Sequence, residues 1–282
     1  MKVSLMKLIG SLSCAALLMT SCLGDGDSSF QSDRSFAYIT TDANYIKVAS
    51  TNVGYIRTQD ATGMTNLTDG QCYYISFKIT STQSSSGTYP AEYINVLDDG
   101  PISQKSLYVT ELGEPGEAYP GIEEEQSDTI QVNSLELREY YPAKEVFGDR
   151  WLFRYSVPNR KDDDQVKAYF YFDRDNQVNE KGEAIGFSEN KIVIDVRFTK
   201  IDGSGSGTTK TKDYESVGNL SSLRNYTPKY NDAGEAYVAV KFRYVTPATT
   251  TTPPTAKFYP TGDSAWVGDS NSSFFLYYNT SN

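Results

Sequence analysis

Past its first two dozen residues the chain alternates apolar and polar positions at a period of two, and nowhere does it sustain a helical period for three turns. Tyr73, Ile75, Phe77 and Ile79 alternate with Tyr74, Ser76, Lys78 and Thr80, which predicts one long strand with a single apolar face. Shorter runs surround it: Phe36 to Thr40, Tyr45 to Ala49, Tyr55 to Thr58, Tyr93 to Leu97 and Leu107 to Glu111. Turn residues part them, among them Asp42-Ala43-Asn44, Asn52-Val53-Gly54 and Asp98-Asp99-Gly100-Pro101. Strands this short and closely spaced predict a small barrel resembling the oligonucleotide/oligosaccharide-binding (OB) type over residues 36–112.

The pattern then breaks. Residues 113–128 are rich in Gly, Pro and Glu and read as a linker. Alternation resumes at Thr129 to Leu137 and continues through Trp151, Phe153, Tyr155 and Val157, then Ile192, Ile194, Val196 and Phe198, then Val238, Val240, Phe242 and Tyr244. Val166 to Phe172 is apolar on both faces, as a strand covered on both sides would be. Phe274 to Tyr278 reads as an edge or closing strand. Together these predict an antiparallel β-sandwich over residues 129–282, with long connections at 173–190 and 203–237 and a Thr/Pro connector or hairpin loop at 246–254. The fold class is therefore all-β.

The beginning of the chain has a different character. Lys2 and Lys7 precede an apolar run from Leu8 to Met19, followed by Thr20-Ser21-Cys22 and then polar sequence. That is the layout of a secretory signal, and the run falls short of the ~20 residues that span a bilayer. A cysteine at the cut resembles a bacterial lipoprotein signal. Residues 1–21 would leave as signal peptide and Cys22 would be acylated, by palmitate or a similar chain, as the membrane anchor. Residues 22–35, opening Cys22-Leu23-Gly24-Asp25-Gly26-Asp27, read as a flexible acidic tether. Cys14 goes with the signal, so only Cys72 remains, in a strand, with no partner for a disulfide.

Composition narrows the chemistry. The chain has 36 Asp and Glu against 26 Lys and Arg, a net charge of −10. Removing residues 1–21 takes away two lysines and no acid, which makes it −12. Such a surface is unsuited to nucleic acid. Histidine is absent, so no Ser-His-Asp triad, Cys-His pair or His-ligated metal can form. Asp173-Arg174-Asp175 begins like a calcium loop. It has Val178 at the sixth place and Ala184 at the twelfth, where an EF-hand needs Gly and Glu. Gly203 to Gly207 lacks the Lys and helix of a phosphate-binding loop. No carboxylate pair stands out by spacing as a glycosidase pair. We expect no catalytic residue, no cofactor and no metal. Tyr226, Tyr230 and Trp266 are candidates for stacking on a sugar ring, against the alternative that they pack in the core.

A lipid cysteine, an acidic tether, an OB-like unit and then a sandwich resemble the NigD-like lipoproteins of Bacteroidetes. Thr68-Asp69-Gly70-Gln71 leading into Tyr73-Tyr74-Ile75 is similar to that family's entry to a long barrel strand, and Glu92 to Val96 to its next strand. Gly148-Asp149-Arg150-Trp151 and Val166 to Phe170 are similar to its second-domain opening. The resemblance implies a lipid-anchored outer-membrane protein at the cell surface, with a binding or shielding role toward an envelope protein or glycan. A saccharide-binding protein of a glycan-uptake system and a fimbrial or adhesin-type subunit stay open as alternatives. Asp128-Thr129-Ile130 and Asp263-Ser264-Ala265 resemble O-glycosylation acceptors of this bacterial group, which would place sugar on Thr129 and Ser264.

Overall fold

The structure, a computed structural model, describes residues 29–42, 44–79, 87–98, 100–109, 129–204, 207–262 and 266–280. Cys22, Ser264 and the linker 113–128 lie outside the described residues. The chain divides into two compact units, residues 1–101 and 102–282.

The first unit is a five-stranded barrel of β1 (Phe30–Thr41), β2 (Lys47–Thr51), β3 (Gly54–Thr58), β4 (Cys72–Ile79) and β5 (Thr88–Val96), closed in the order β1-β2-β3-β5-β4. All neighbours are antiparallel except β3 and β5, which run parallel. This is the OB arrangement that the alternation predicted. Tyr73, Ile75, Phe77 and Ile79 face inward as expected and meet Ala37, Ile39, Ala49, Ile56, Ala91 and Ile94. Met64 and Leu67, from the β3–β4 connection, complete that core. The Lys47 ammonium donates to the Leu67 carbonyl at 2.8 Å, and the Tyr73 hydroxyl accepts from the Thr68 N–H at 3.0 Å. Cys72 is a buried thiol outside any disulfide among the described residues.

Two boundaries differ from the sequence reading. β1 begins at Phe30, and Phe30, Gln31 and Ser32 pair with Ile79, Lys78 and Phe77, so residues 30–35 belong to the barrel and not to the tether. Their polar sequence hides this, because the long β4 supplies the ladder they pair with. Of the run Leu107 to Glu111, the described residues 107–109 do not close the barrel, which β4 and β1 close. Instead β6 (Gln104–Ser106) and β7 (Tyr108–Val109) pair in parallel with strands of the second unit, and that unit starts at Ile102.

The second unit is a sandwich. Its further elements are β8 (Thr129–Ile130), β9 (Ser134–Glu139), a one-turn helix α1 (Lys144–Phe147), β10 (Arg150–Arg160), β11 (Gln165–Phe172), β12 (Lys191–Ile201), β13 (Lys210–Asn219), β14 (Glu235–Thr246), β15 (Thr255–Tyr259) and β16 (Phe275–Asn279). One sheet has the order β6-β13-β10-β9. The other has the order β15-β14-β12-β11-β7, with β16 also on β14 and β8 on β12. Pairing is antiparallel apart from β12–β14, β11–β7 and β13–β6. The core lies between the sheets: the Phe153 ring is 5.0 Å from Phe170 and 4.7 Å from Phe242, and Tyr155 is 4.7 Å from Phe198. Aromatic pairs at such distances add ~0.5–1.5 kcal/mol each beyond simple burial.

The other face of the larger sheet is largely buried as well, and it sets buried charges beside an apolar cluster of Val193, Ala239 and Trp266. Asp195 is fully buried and accepts two hydrogen bonds from Arg243, at 2.8 and 2.7 Å, and one from Arg197 at 3.0 Å. Lys241, also fully buried, pairs with Glu180. The Gln177 amide accepts from the Val193 N–H at 2.7 Å and donates to its carbonyl at 3.1 Å, continuing the ladder where β11 ends. The connection 173–190 is thus part of the packed structure.

The turn after β10 shows how an exposed-looking charge run is used. Backbone N–H groups of Gly203 and Lys161, each 2.9 Å from the Asp164 carboxylate, hold it below the usual carboxylate range, with Arg160 3.8 Å away. The folded chain therefore takes up this proton less readily than the unfolded chain. The stabilisation is complete above the unfolded pKa of about 3.9 and is lost as pH falls through the lower folded value. Asp164→Asn is expected to be less stable at pH 7 and to lose less on acidification, which urea midpoints from pH 7 to pH 3 measure.

Candidate functional site

The barrel carries the site. β1 and β2 are joined through Asp42 to Ile46, a run whose Asp and Asn favour a tight turn. The Asp42 N–H donates to the Ile46 carbonyl at 2.8 Å, and the Tyr45 N–H donates to the Asp42 carbonyl at 3.0 Å. Asp42 Oδ1 accepts from the N–H groups of Asn44 and Ile46 at 2.8 and 3.0 Å. These four bonds hold Tyr45 in the left-handed region, φ 60°, which costs a non-glycine residue about 1–2 kcal/mol. The result is a tyrosine side chain 90% exposed beside an Ile46 that is 40% exposed. A bulky residue held in strained backbone and pointed at solvent is a feature of recognition sites.

A cavity of about 270 Å³ adjoins this loop. Asn44 and Ile46 border it from the loop, Arg57 and Gln59 from the end of β3, and Tyr89 and Pro90 from the start of β5. The parallel pairing of β3 and β5 sets Arg57 opposite Pro90, which brings these distant residues together. Gly54, at φ 122°, sits where a Cβ would come within 3.3 Å of the Tyr89 ring, so the close approach suits glycine. Among the described residues the Arg57 guanidinium has no ion-pair or hydrogen-bond partner, and the side-chain amides of Asn44 and Gln59 make no hydrogen bond. OB barrels that bind oligonucleotides or oligosaccharides do so on the face of strands 2 and 3 and at the β1–β2 and β4–β5 loops.

A second cavity, about 540 Å³, lies by the β3–β4 connection and is bordered by Asn66, Thr68, Tyr73 and Asn95. Among the described residues no charged side chain lines it, and Tyr73 is buried.

The aromatics singled out from the sequence lie in the second unit. Tyr226 stacks on Phe187 at 5.2 Å and meets Phe172 edge-on at 5.3 Å. Trp266 is buried with Val193 and Ala239, and the Lys241 ammonium lies 4.9 Å from its ring. Both are packing residues, with ring faces already occupied. Tyr230 is 36% exposed, and among the described residues no ring contact joins any two of the three. Thr129 is exposed at the start of β8, opposite Thr199. Tyr45, Arg57 and Gln59 escape a reading of the sequence, although a tyrosine between two turn residues and a strand was a usable signal.

No protein-family model matches the chain, and no curated protein matches it. Two solved structures are similar. One, an uncharacterized protein from Parabacteroides merdae ATCC 43184, is 10% identical; the match covers 87% of this chain and 98% of that one, with a TM-score of 0.53. The other, from Bacteroides fragilis NCTC 9343 and provisionally described as a lipoprotein, is 11% identical over 80% of this chain and 96% of that one, with a TM-score of 0.46. The first likeness shows that this chain shares its fold with the Parabacteroides protein over nearly that protein's whole length.

Proposed function

We propose that the protein is a lipid-anchored envelope protein of the NigD-like layout that works by binding, and that its partner sits on the β1–β2 loop and cavity of the barrel. Support for the address is the signal run ending at Cys22 and the acidic stretch after it, which suits display at the outer-membrane surface. Support for binding over catalysis is the lack of histidine in the whole chain. The observation that carries the reading is Tyr45, held in strained backbone by Asp42 and almost wholly exposed, between Asn44 and Ile46, which border the cavity.

Cys22→Ala is expected to move the protein from the membrane fraction to the soluble fraction, and the wild-type N-terminus is expected to carry the mass of fatty acyl chains. A Cys22→Ala protein that stays with the membrane would overturn the anchor. For the binding surface, the intact detergent-solubilised protein is screened against a mixed library of glycans and envelope peptides. Ligands held by wild type and released by Tyr45→Asn are expected. Ligands held equally by both would place binding elsewhere.

A further inference from the structure

We infer that the loop and cavity of the barrel take a sugar residue bearing a carboxylate, an inference that rests on the barrel being the binding unit. Three properties of the site lead there. The first is Arg57. Arg57 is half-buried and borders the cavity, and its guanidinium has no anionic partner among the described residues. A planar guanidinium matches a carboxylate with two parallel hydrogen bonds. Asp42, the only acid among the described residues that border the cavity, turns its Oδ1 to two backbone N–H groups.

The second property is the amides of Asn44 and Gln59 at the cavity, with the exposed ring of Tyr45 next to Asn44 in the chain. An open aromatic face suits the apolar face of a pyranose, and side-chain amides both donate to and accept from hydroxyls. The cavity, about 270 Å³, lies just below the ~300–1,000 Å³ of drug-sized ligands, which suits one ring with the rest of the glycan passing over Tyr45.

The third is what the site disfavours. A peptide commonly binds by adding a strand to a sheet edge, and a closed barrel has no free edge. A polyanion would need many cations, whereas the chain carries a net −10 and the cavity one arginine. A single acidic sugar, at the end of or within an otherwise neutral glycan, fits both facts.

The test titrates the intact detergent-solubilised protein with methyl glucuronide, N-acetylneuraminic acid, methyl glucoside and an acetylated tripeptide with a free carboxylate, read by calorimetry or saturation-transfer NMR. An acidic sugar is expected to bind at least tenfold more tightly than the glucoside, because the neutral ring leaves the guanidinium unpaired. Arg57→Gln is expected to erase that gap. Tyr45→Asn is expected to weaken all sugars at least threefold, with a thermal midpoint no lower than wild type, because asparagine accepts left-handed backbone. Equal affinity for glucuronide and glucoside, a gap that survives Arg57→Gln, or a tripeptide bound as tightly as the acidic sugars would overturn the inference. If no acidic sugar binds while library ligands still distinguish Tyr45→Asn from wild type, the sugar class is rejected and the binding surface stands. If neither binds, both fall.

Discussion

Arg224→Ala is expected to lower the stability of the sandwich by about 3–5 kcal/mol, the cost of leaving a buried charge without its partner. Arg224 stands on the 3-10 turn Ser221–Asn225 and reaches three separate segments. Its Nε and Nη2 donate to the two oxygens of Asp149 at 3.0 and 2.6 Å. Nη2 also donates to the Pro142 carbonyl at 3.0 Å, and Nη1 donates to the Tyr277 carbonyl on β16. The guanidinium carbon lies 4.7 Å from the centre of the Tyr278 ring. Asp149 is 2% exposed and follows the Gly148 cap of α1 in left-handed backbone, φ 61°. One side chain therefore ties the turn before β10, the turn after β13 and the last strand. Alanine deletes the charge that makes a buried Asp149 carboxylate tolerable and strands two carbonyls. Asp149→Ala is expected to cost a similar amount. The double variant should cost less than the two single losses added, by about 0.5–3 kcal/mol, since both remove one interaction. Urea unfolding of all four proteins measures this, and simple additivity would show that the pair is not coupled. Lysine at position 224 restores charge without the two-pronged geometry, so only a partial recovery is expected.

How far the fold can be read in advance depends on which residues face the core. β4 is legible because its inward positions are Tyr, Ile, Phe and Ile, and β10 because they are Trp, Phe, Tyr and Val. β13 is not legible, although it is an interior strand: residues 203–237 read as one long connection. Its positions opposite Tyr155, Phe153 and Trp151 are Tyr214, Ser216 and Gly218. The rings of Phe153 on β10 and Phe170 on β11 fill the space there, so positions 216 and 218 of the neighbouring strand must be small. The Ser216 hydroxyl hydrogen-bonds Tyr155 Oη at 2.9 Å, and a Cβ on Gly218 would come within 3.1 Å of the Phe170 ring. A core-facing strand with a polar and an empty position leaves no apolar period to find.

The buried charges of the larger sheet mislead in the opposite way. Asp195, Lys241 and Arg243 occupy the alternate positions that a one-sided sheet would give to solvent, yet Asp195 and Lys241 are fully buried. They are tolerated because each is paired, Asp195 with two arginines and Lys241 with Glu180. The candidate site is hidden for a topological reason. Residues 42, 44, 46, 57–59 and 88–90 are separate in sequence and meet because β3 pairs with β2 on one side and with β5 on the other. The periodicity and spacing of the strands predict an OB-like barrel, whereas which connections meet beside the β3–β5 seam follows only from the strand order.

The second large effect is expected at Trp151, and it should split by substituent. Trp151 is fully buried, 4.9 Å from the Tyr140 ring and 5.8 Å from Phe242, which in turn packs on Phe153. Trp151→Ala would open a cavity at the end of this row of rings and is expected to cost about 3–5 kcal/mol. Trp151→Phe should stay within about 1.5 kcal/mol of wild type. The indole Nε1–H is buried and has no acceptor among the described residues, so phenylalanine removes a donor that was desolvated without return while keeping an aromatic face against Tyr140. Far-ultraviolet circular dichroism during urea unfolding measures both variants. If Trp151→Phe were as damaging as Trp151→Ala, the nitrogen would have to be hydrogen-bonded in solution, and the packing argument for this end of the sandwich would fail with it.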